Sequence, residues 1–348
     1  MTFLLFSDLH VKQSNLADCL RTCTWVAEVI DAHRPESVFF LGDWFDSRRS
    51  VDIPTIRCSL QMHDIVAASC NNVASKYYLI LGNHDIYAEG VSAMEMFNGR
   101  GGAVVVDTPT RVFIGDGCCV LLFPYYKDAG VFASARKSIL DSTADKVSFA
   151  CIHQDVRGAK YTPTYVCDAG VDPDTFDVPY FCGHHHFPGN DGKVVLIGSC
   201  MYHDWNDEVT VIPRGVTVIE VNNAGDVCDH EVFENPVTPL FRTVDAHKGF
   251  GLEDVLLIPE ASKTNLRILC SSTEVEDFTK VCMLDEFLSF TVLSSDEVSV
   301  RAETPGITVD AAPVEVVRNY VASVSTLLDT EKLVDIGSKA IAEARGCG

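Results

Sequence analysis

The 348-residue chain reads as an α/β protein: two sheets packed face to face with helices outside, a four-layer sandwich, then a small α+β cap and a helical tail. Three observations predict this. Up to about residue 100, short apolar runs alternate with amphipathic stretches. From 103 to 221 the apolar runs crowd together, as strands of a second sheet would. Beyond that, two Pro-containing segments set off shorter patterns of their own.

The elements follow in order. "TFLLFSD", "SVFFLGD" and "KYYLILGNHD" read as buried strands. Between the first two, Leu16, Leu20, Cys23, Ala27 and Ile30 recur at helical spacing, and Pro35 closes that helix. Pro54 opens a second helix running through Ile65. The resulting β-α-β-α-β order implies a parallel or mixed sheet with right-handed crossovers. "AVVVD", "CCVLLFP", "KVSFACIH", "PYFCGHH", "KVVLIGS" and "GVTVIEV" supply the second sheet. "NPVTPL" (235–240) reads as a linker, so the first domain spans 1–234. A cap over 241–303 follows, with strand-like "NLRILCSS" and "FLSFTVLSS" around helical "EVEDFTKVCML". "TPGITVDAAP" (304–313) tethers a tail over 313–348, where Val317, Val321, Val324 and Leu328 form one helical stripe and Leu333, Ile336 and Ala340 another.

Composition narrows the function. With 47% apolar residues the chain has ample material for a core, and no apolar run approaches the ~20 residues of a membrane span, so no membrane association is expected. The opening "MTFLLFSD" is briefly apolar without a basic leader, which reads as a strand rather than a signal peptide. None of the 14 cysteines forms a C-x-x-C pair, and many sit inside apolar runs, so buried thiols in a reducing, cytoplasmic setting are expected. The net charge of −22 argues against broad polyanion binding by the chain alone. It is uneven, −4 over residues 1–150 and −18 over the remainder.

Metal-ligand residue types cluster at strand ends: "SDLH" (Asp8, His10), "GDWFD" (Asp43), "GNHD" (Asn83, His84), "CIHQD" (His153) and "GHHH" (His184, His186). Residues just past the carboxyl ends of parallel strands converge on one crevice. Positions two apart share a side of an extended chain, so Asp8 pairs with His10 and His184 with His186, while His185 faces away. A lone D-x-H or G-N-H-D is usually only a turn; five such pieces, each after an apolar run, point to one shared site. Two carboxylates, one amide and four imidazoles without a thiolate suit a pair of divalent ions such as manganese, with magnesium or others as alternatives. Asp43 bridging would bring seven side chains to eight bonds, and such a pair activates water and neutralises charge on a phosphoryl oxygen. His84 and Asp85 remain: an imidazole steered by a carboxylate suits protonation of a leaving oxygen.

The order D-x-H, G-D, G-N-H-D, H, G-H-x-H resembles that of the calcineurin-like metallophosphoesterases, with all five blocks intact. The resemblance implies that Asp8, His10, Asp43 and His186 hold one ion, that Asp43, Asn83, His153 and His184 hold the other, and that His84 is catalytic. "GDWFDSRR", the stretch from "HQDVRGAK" to "GVDPDTFDVPYFCGHHH", and "GSCMYHDWNDEVTVIPRG" are similar to the SbcD branch, especially phage recombination endonuclease subunits, over about 1–222. Two positions depart from the pattern: Asp46 stands where some relatives have a histidine, and Cys200 replaces a proline after the Gly-Ser turn. The branch implies a capping domain, C-terminal helices docked on an SbcC-type ABC ATPase, and a homodimer.

The resulting expectation is a manganese-dependent DNA exonuclease and structure-dependent endonuclease in an SbcCD-like recombination or repair complex, in the host cytoplasm if the chain is from a phage. Arg48 and Arg49 are the candidate DNA-phosphate contacts. The acidity favours an alternative, a cytoplasmic phosphatase or small-molecule phosphodiesterase on the same core. A third reading, a metal-stabilised scaffold without turnover, leaves the extra imidazole of His84 unexplained.

Overall fold

The computed structural model describes residues 1–294 except 116, 162–164, 208–211 and 285–286. The chain opens with β1 (Thr2–Phe6), α1 (Leu16–His33), β2 (Ser37–Phe40), α2 (Ile53–Asn72) and β3 (Lys76–Ile80). The short strands β4 (Ile86–Ala88) and β5 (Val91–Ser92) form a hairpin, followed by β6 (Val104–Val106), β7 (Thr110–Gly115) and β8 (Cys118–Phe123). Then come α3 (Ala129–Asp141), β9 (Lys146–Ile152), β10 (Tyr180–Cys182), β11 (Gly189–Asp191), β12 (Val194–Leu196), β13 (Gly215–Val221) and β14 (Val227–Glu234).

Two six-stranded sheets result, ordered β14-β13-β1-β2-β3-β6 and β11-β12-β10-β9-β8-β7. In each, four adjacent strands run parallel and the other two are antiparallel additions. Strand alternation sorts side chains into three apolar layers. Phe3 and Leu5 of β1 point between the sheets, where they meet Phe149, Cys151 and Phe181 of the second sheet. Leu4 and Phe6 point the other way onto Cys23, Val26 and Ile30 of α1 and Met62 and Val66 of α2. On the far side, Leu121, Phe123, Ile152 and Tyr180 cover Phe132 of α3. The order helix, sheet, sheet, helix is the expected four-layer sandwich.

Local signals set the ends. Arg34, in the left-handed conformation at φ 48°, donates its N–H to Ile30 and ends α1 before Pro35. Asp52 caps α2 by accepting from the Thr55 N–H, with Pro54 in the first turn. The helix from Pro54 continues past Ile65 to Asn72. Three differences from the sequence reading have physical causes. The runs at 104–106 and 215–221 join the first sheet, not the second, because strand partners are chosen by long-range packing that periodicity does not record. Helix α3 carries one buried residue, Phe132, and so shows little apolar stripe. Strand β14 is an exposed edge with the polar sequence VCDHEVFE.

The chain divides into compact units at Phe241/Arg242. The segment 235–240 is bound into the first unit: the buried Asn235 amide donates to Thr22 Oγ1 (3.1 Å) and to the Cys200 carbonyl (2.9 Å). The described part of the second unit has β15 (Leu240–Asp245, beginning at the boundary), α4 (Leu252–Val255), β16 (Thr264–Cys270), α5 (Val275–Cys282) and β17 (Ser289–Ser294). Its sheet runs β15-β16-β17, with β16 and β17 parallel, over a core of Leu266, Ile268, Cys270, Phe278 and Cys282. The helical tail read over 313–348 and its tether lie outside the described residues. Among the described residues no helix is long and apolar enough to cross a membrane. The described cysteines are free thiols, buried except for half-buried Cys58 and exposed Cys228.

Candidate metal centre

Register builds the site. Phe6 pairs with Phe40 and Phe40 with Leu79, so the loops after β1, β2 and β3 leave the first sheet side by side. Ile152 pairs with Cys182, so the loops after β9 and β10 leave the second sheet together. Asp8 and His10, Asp43, Asn83 and His84, His153, and His184 to His186 therefore emerge along one edge of the sandwich, as parallel-strand geometry requires. The loops are laced together: Asp8 N–H donates to Gly42 O, His10 N–H to Asp43 O and Val11 N–H to Trp44 O.

Within this edge the ligand-type atoms converge. Asp8, His10 and His186 form one group, Asp43, His153 and His184 a second, and His10, Asp43 and His84 a third, each with ligand atoms within 4.8 Å of one another. Asp43 lies between the first two groups, its Oδ2 3.6 Å from His10 Nε2 and 3.3 Å from His153 Nε2. Asn83 Oδ1 is 3.0 Å from His153 Nε2. The seven side chains named from the sequence thus lie at one place.

Four of them reach it through strained or crowded backbone. Asp8, His10, Asp43 and His184 all have positive φ, between 45° and 74°. The expectation that Asp8/His10 and His184/His186 alternate along extended chain is thereby corrected: left-handed turns aim these side chains. His185 does face away, where its Nε2 accepts from the Val156 N–H (3.1 Å). Gly82 is required because a Cβ there would fall on the Asp43 carboxylate.

A divalent pair fits these residues. Asp8 Oδ1 is buried without a hydrogen-bond partner, although Oδ2 accepts from Ser7 Oγ and the His184 N–H. His10 Nε2 and His186 Nε2 face each other at 3.0 Å, as two lone pairs aimed at one cation would. His153 donates its Nδ1–H to the Leu41 carbonyl (2.6 Å), which leaves Nε2 as the lone pair facing Asp43 and Asn83. Burial opposes charge throughout, yet a protonated His153 holds Asp43 well below the usual carboxylate range, and Asp43 in turn lifts His153 to about 9 against its own burial, so an ion at Nε2 would have to displace that proton.

The partner of His84 is corrected. Its Nδ1 lies 2.6 Å from the Asp46 carbonyl, so backbone orients the ring. The Asp85 carboxylate, expected to steer it, accepts instead from the N–H groups of Gly82, Asp43, Trp44 and Phe45 and clamps the β2 loop. Arg48 and Arg49 line, with Asp46, Ser47, Asn83 and His84, a pocket of about 300 Å³. Sequence reasoning missed two neighbours. Asp155 Oδ1 stands 2.9 Å from His184 Nε2, and its position two residues after His153 was the available signal. His203 Nε2 donates to the Asp8 carbonyl (2.8 Å), with its ring beside those of His10 and His186; nothing local marks it.

This arrangement of two laced loop sets around carboxylate-bridged imidazoles defines a metal-dependent phosphoesterase. The chain belongs to the calcineurin-like phosphoesterase family, whose model matches residues 1–188. No curated protein matches it. Similar solved structures include a hypothetical protein from Thermus thermophilus, at 14% identity and TM-score 0.39 over 68% of this chain and 100% of that one. GAP50, the anchor in the inner membrane complex of Plasmodium, is 12% identical with TM-score 0.45 over 67% and 88%. A dimetal phosphatase from Danio rerio is 11% identical with TM-score 0.34 over 64% and 93%.

Proposed function

We propose that the chain is a DNA phosphodiesterase, exonuclease and structure-dependent endonuclease, that works with two divalent ions, manganese first among them. The observation that carries this reading is the pocket of Arg48 and Arg49 beside His84 and Asn83. Two guanidiniums next to the reacting centre suit a diester with charged phosphates on either side better than an isolated monoester. When bound, the ions supply water activation and charge neutralisation at the phosphoryl oxygen. Asp8, His10, Asp43 and His186 would hold one, and Asp43, Asn83, His153 and His184 the other. His84, with its Nδ1–H on the Asp46 carbonyl, would act as the doubly protonated imidazolium and give its Nε2 proton to the leaving oxygen.

The net charge of −22 requires that a partner supply much of the surface for DNA. An SbcC-type ABC ATPase docked on the 313–348 helices, in a complex with a dimer of this chain, is the partner proposed, in the cytoplasm of the cell or phage host. The same acidity supports the second reading, a phosphatase or small-molecule phosphodiesterase. Assay of the purified protein with manganese separates the two. Double- and single-stranded DNA and bis-p-nitrophenyl phosphate are the substrates, with Arg48→Ala/Arg49→Ala alongside wild type. Loss on DNA with a flatter salt dependence and spared turnover of the small diester supports the nuclease; equal losses on both, or no action on DNA, favour the second reading.

A further inference from the structure

Asp155 lies at a junction of three loops and belongs to none of the five sequence blocks' proposed ligands. Its Oδ1 is 2.9 Å from His184 Nε2 and accepts from the Tyr161 hydroxyl, and its Oδ2 accepts from the Tyr125 hydroxyl at 3.2 Å. Tyr161 Oη also stands 3.1 Å from His184 Nε2. Tyr125 follows β8, Asp155 follows β9 and His184 follows β10. The backbone around Asp155 is pinned as well: Val171 N–H donates to its carbonyl, and the next residue, Val156, bridges Val171 and donates to His185 Nε2. The two adjacent histidines are thus used in opposite senses. His185 accepts from the Asp155 loop, and His184 donates to it.

We infer that Asp155 is a positioning residue for the second ion: by taking the Nε2–H of His184 it leaves Nδ1 as the lone pair available to an ion held with Asp43 and His153. This inference rests on the reading of His184 as a ligand. A carboxylate behind a ligating imidazole selects the tautomer, locks the ring and raises its basicity, and its loss typically weakens the metal about 10–100-fold. The two phenols matter because they hold both oxygens of Asp155, Tyr161 on Oδ1 and Tyr125 on Oδ2, which opposes a swing of the carboxylate inward to occupy the ion's place itself. The expected consequence is asymmetric. The hydrogen bonds of the Asp155 carboxylate go to His184, Tyr161 and Tyr125 and none to Asp8, His10 or His186, so its loss should fall chiefly on the second ion.

Manganese titration of the metal-free full chain, followed by calorimetry and by electron paramagnetic resonance, tests this with Asp155→Ala, Asp155→Asn and Tyr161→Phe. Wild type is expected to bind two ions and give an exchange-coupled spectrum. Asp155→Ala should weaken the second ion about 10–100-fold and leave the first unchanged, so that an isolated-ion spectrum persists where wild type is coupled. Asp155→Asn, which keeps an acceptor oxygen without the charge, should fall between, and Tyr161→Phe should lose less. A two-bond proton–nitrogen correlation spectrum of the metal-free wild type should show His184 as the Nε2–H tautomer. The inference is overturned if His184 is the Nδ1–H tautomer, if Asp155→Ala binds both ions like wild type, or if both ions weaken together in Asp155→Asn. A wild type that binds fewer than two ions would instead sink the two-metal reading and leave the tautomer measurement to judge Asp155. If Asp155→Ala does not fold, the Asn variant decides.

Discussion

Asp43 and His84 sit a few ångströms apart yet carry separable duties. Asp43 Oδ2 faces ring nitrogens of both ligand groups while its Oδ1 accepts from the His84 N–H (2.8 Å). Asp43→Asn keeps that last bond but removes the charge both groups share, so it should lose both ions and all turnover; elemental analysis of the native protein checks it, and retention of two ions would refute a bridging role. His84→Ala should keep both ions, with kcat down about 10²–10⁴-fold as for a lost general acid, read by steady-state kinetics beside metal content. A His84→Ala protein that arrives without metal would make that imidazole a ligand. The clustering of these side chains was legible because Asp, His and Asn stood in five blocks at strand ends. Asp85 was misplaced because the sequence cannot say whether a carboxylate turns toward a neighbouring ring or toward backbone N–H groups. Burial decided it: three N–H groups of the β2 loop and one of the β3 loop needed an acceptor.

Elements bring those loops to one edge, and their packing should be measurable. The β3 loop passes so close to the β2 loop that a methyl group on Gly82 would overlap the Asp43 carboxylate. Gly82→Ala should therefore lower stability by about 1–3 kcal/mol in urea unfolding and also lose the metal-induced rise in Tm; a wild-type Tm shift on adding manganese would contradict this placement. Helix α2 offers a pH test. His63 is buried, stacked on Phe97 (4.6 Å between centroids), with Nε2 3.1 Å from the Arg100 carbonyl, and burial holds its pKa below 6.5. In the unfolded chain the ring protonates near pH 6.5, so the unfolded state binds more protons below that value and stability falls as the medium is acidified. His63→Phe should keep the stack and flatten the decline in Tm between pH 7 and 5; an unchanged slope would remove His63 from the linkage.

For the whole molecule, the proposed division of labour predicts that deleting 313–348 spares manganese-dependent cleavage of a small diester while abolishing ATPase binding and ATP-stimulated DNA processing. Co-purification and turnover assays check this, and a truncated chain that unfolds, or that still captures the ATPase, would defeat the docking proposal. At this scale the amino-acid order by itself determined much: buried strands alternating with helices, ligand residue types at strand ends, and a second small α+β unit. These follow from local patterning, which records what each residue needs from its surroundings. Tertiary structure alone decided which sheet Val104–Val106 and Gly215–Val221 join, which backbone turns left-handed to aim Asp8, Asp43 and His184, that Asp155 turns to His184 rather than to its neighbour His153, and that His203 reaches the candidate metal ligands from elsewhere in the chain. Those outcomes depend on partners far away in sequence and on burial shared between loops, for which a single chain position carries no periodic sign.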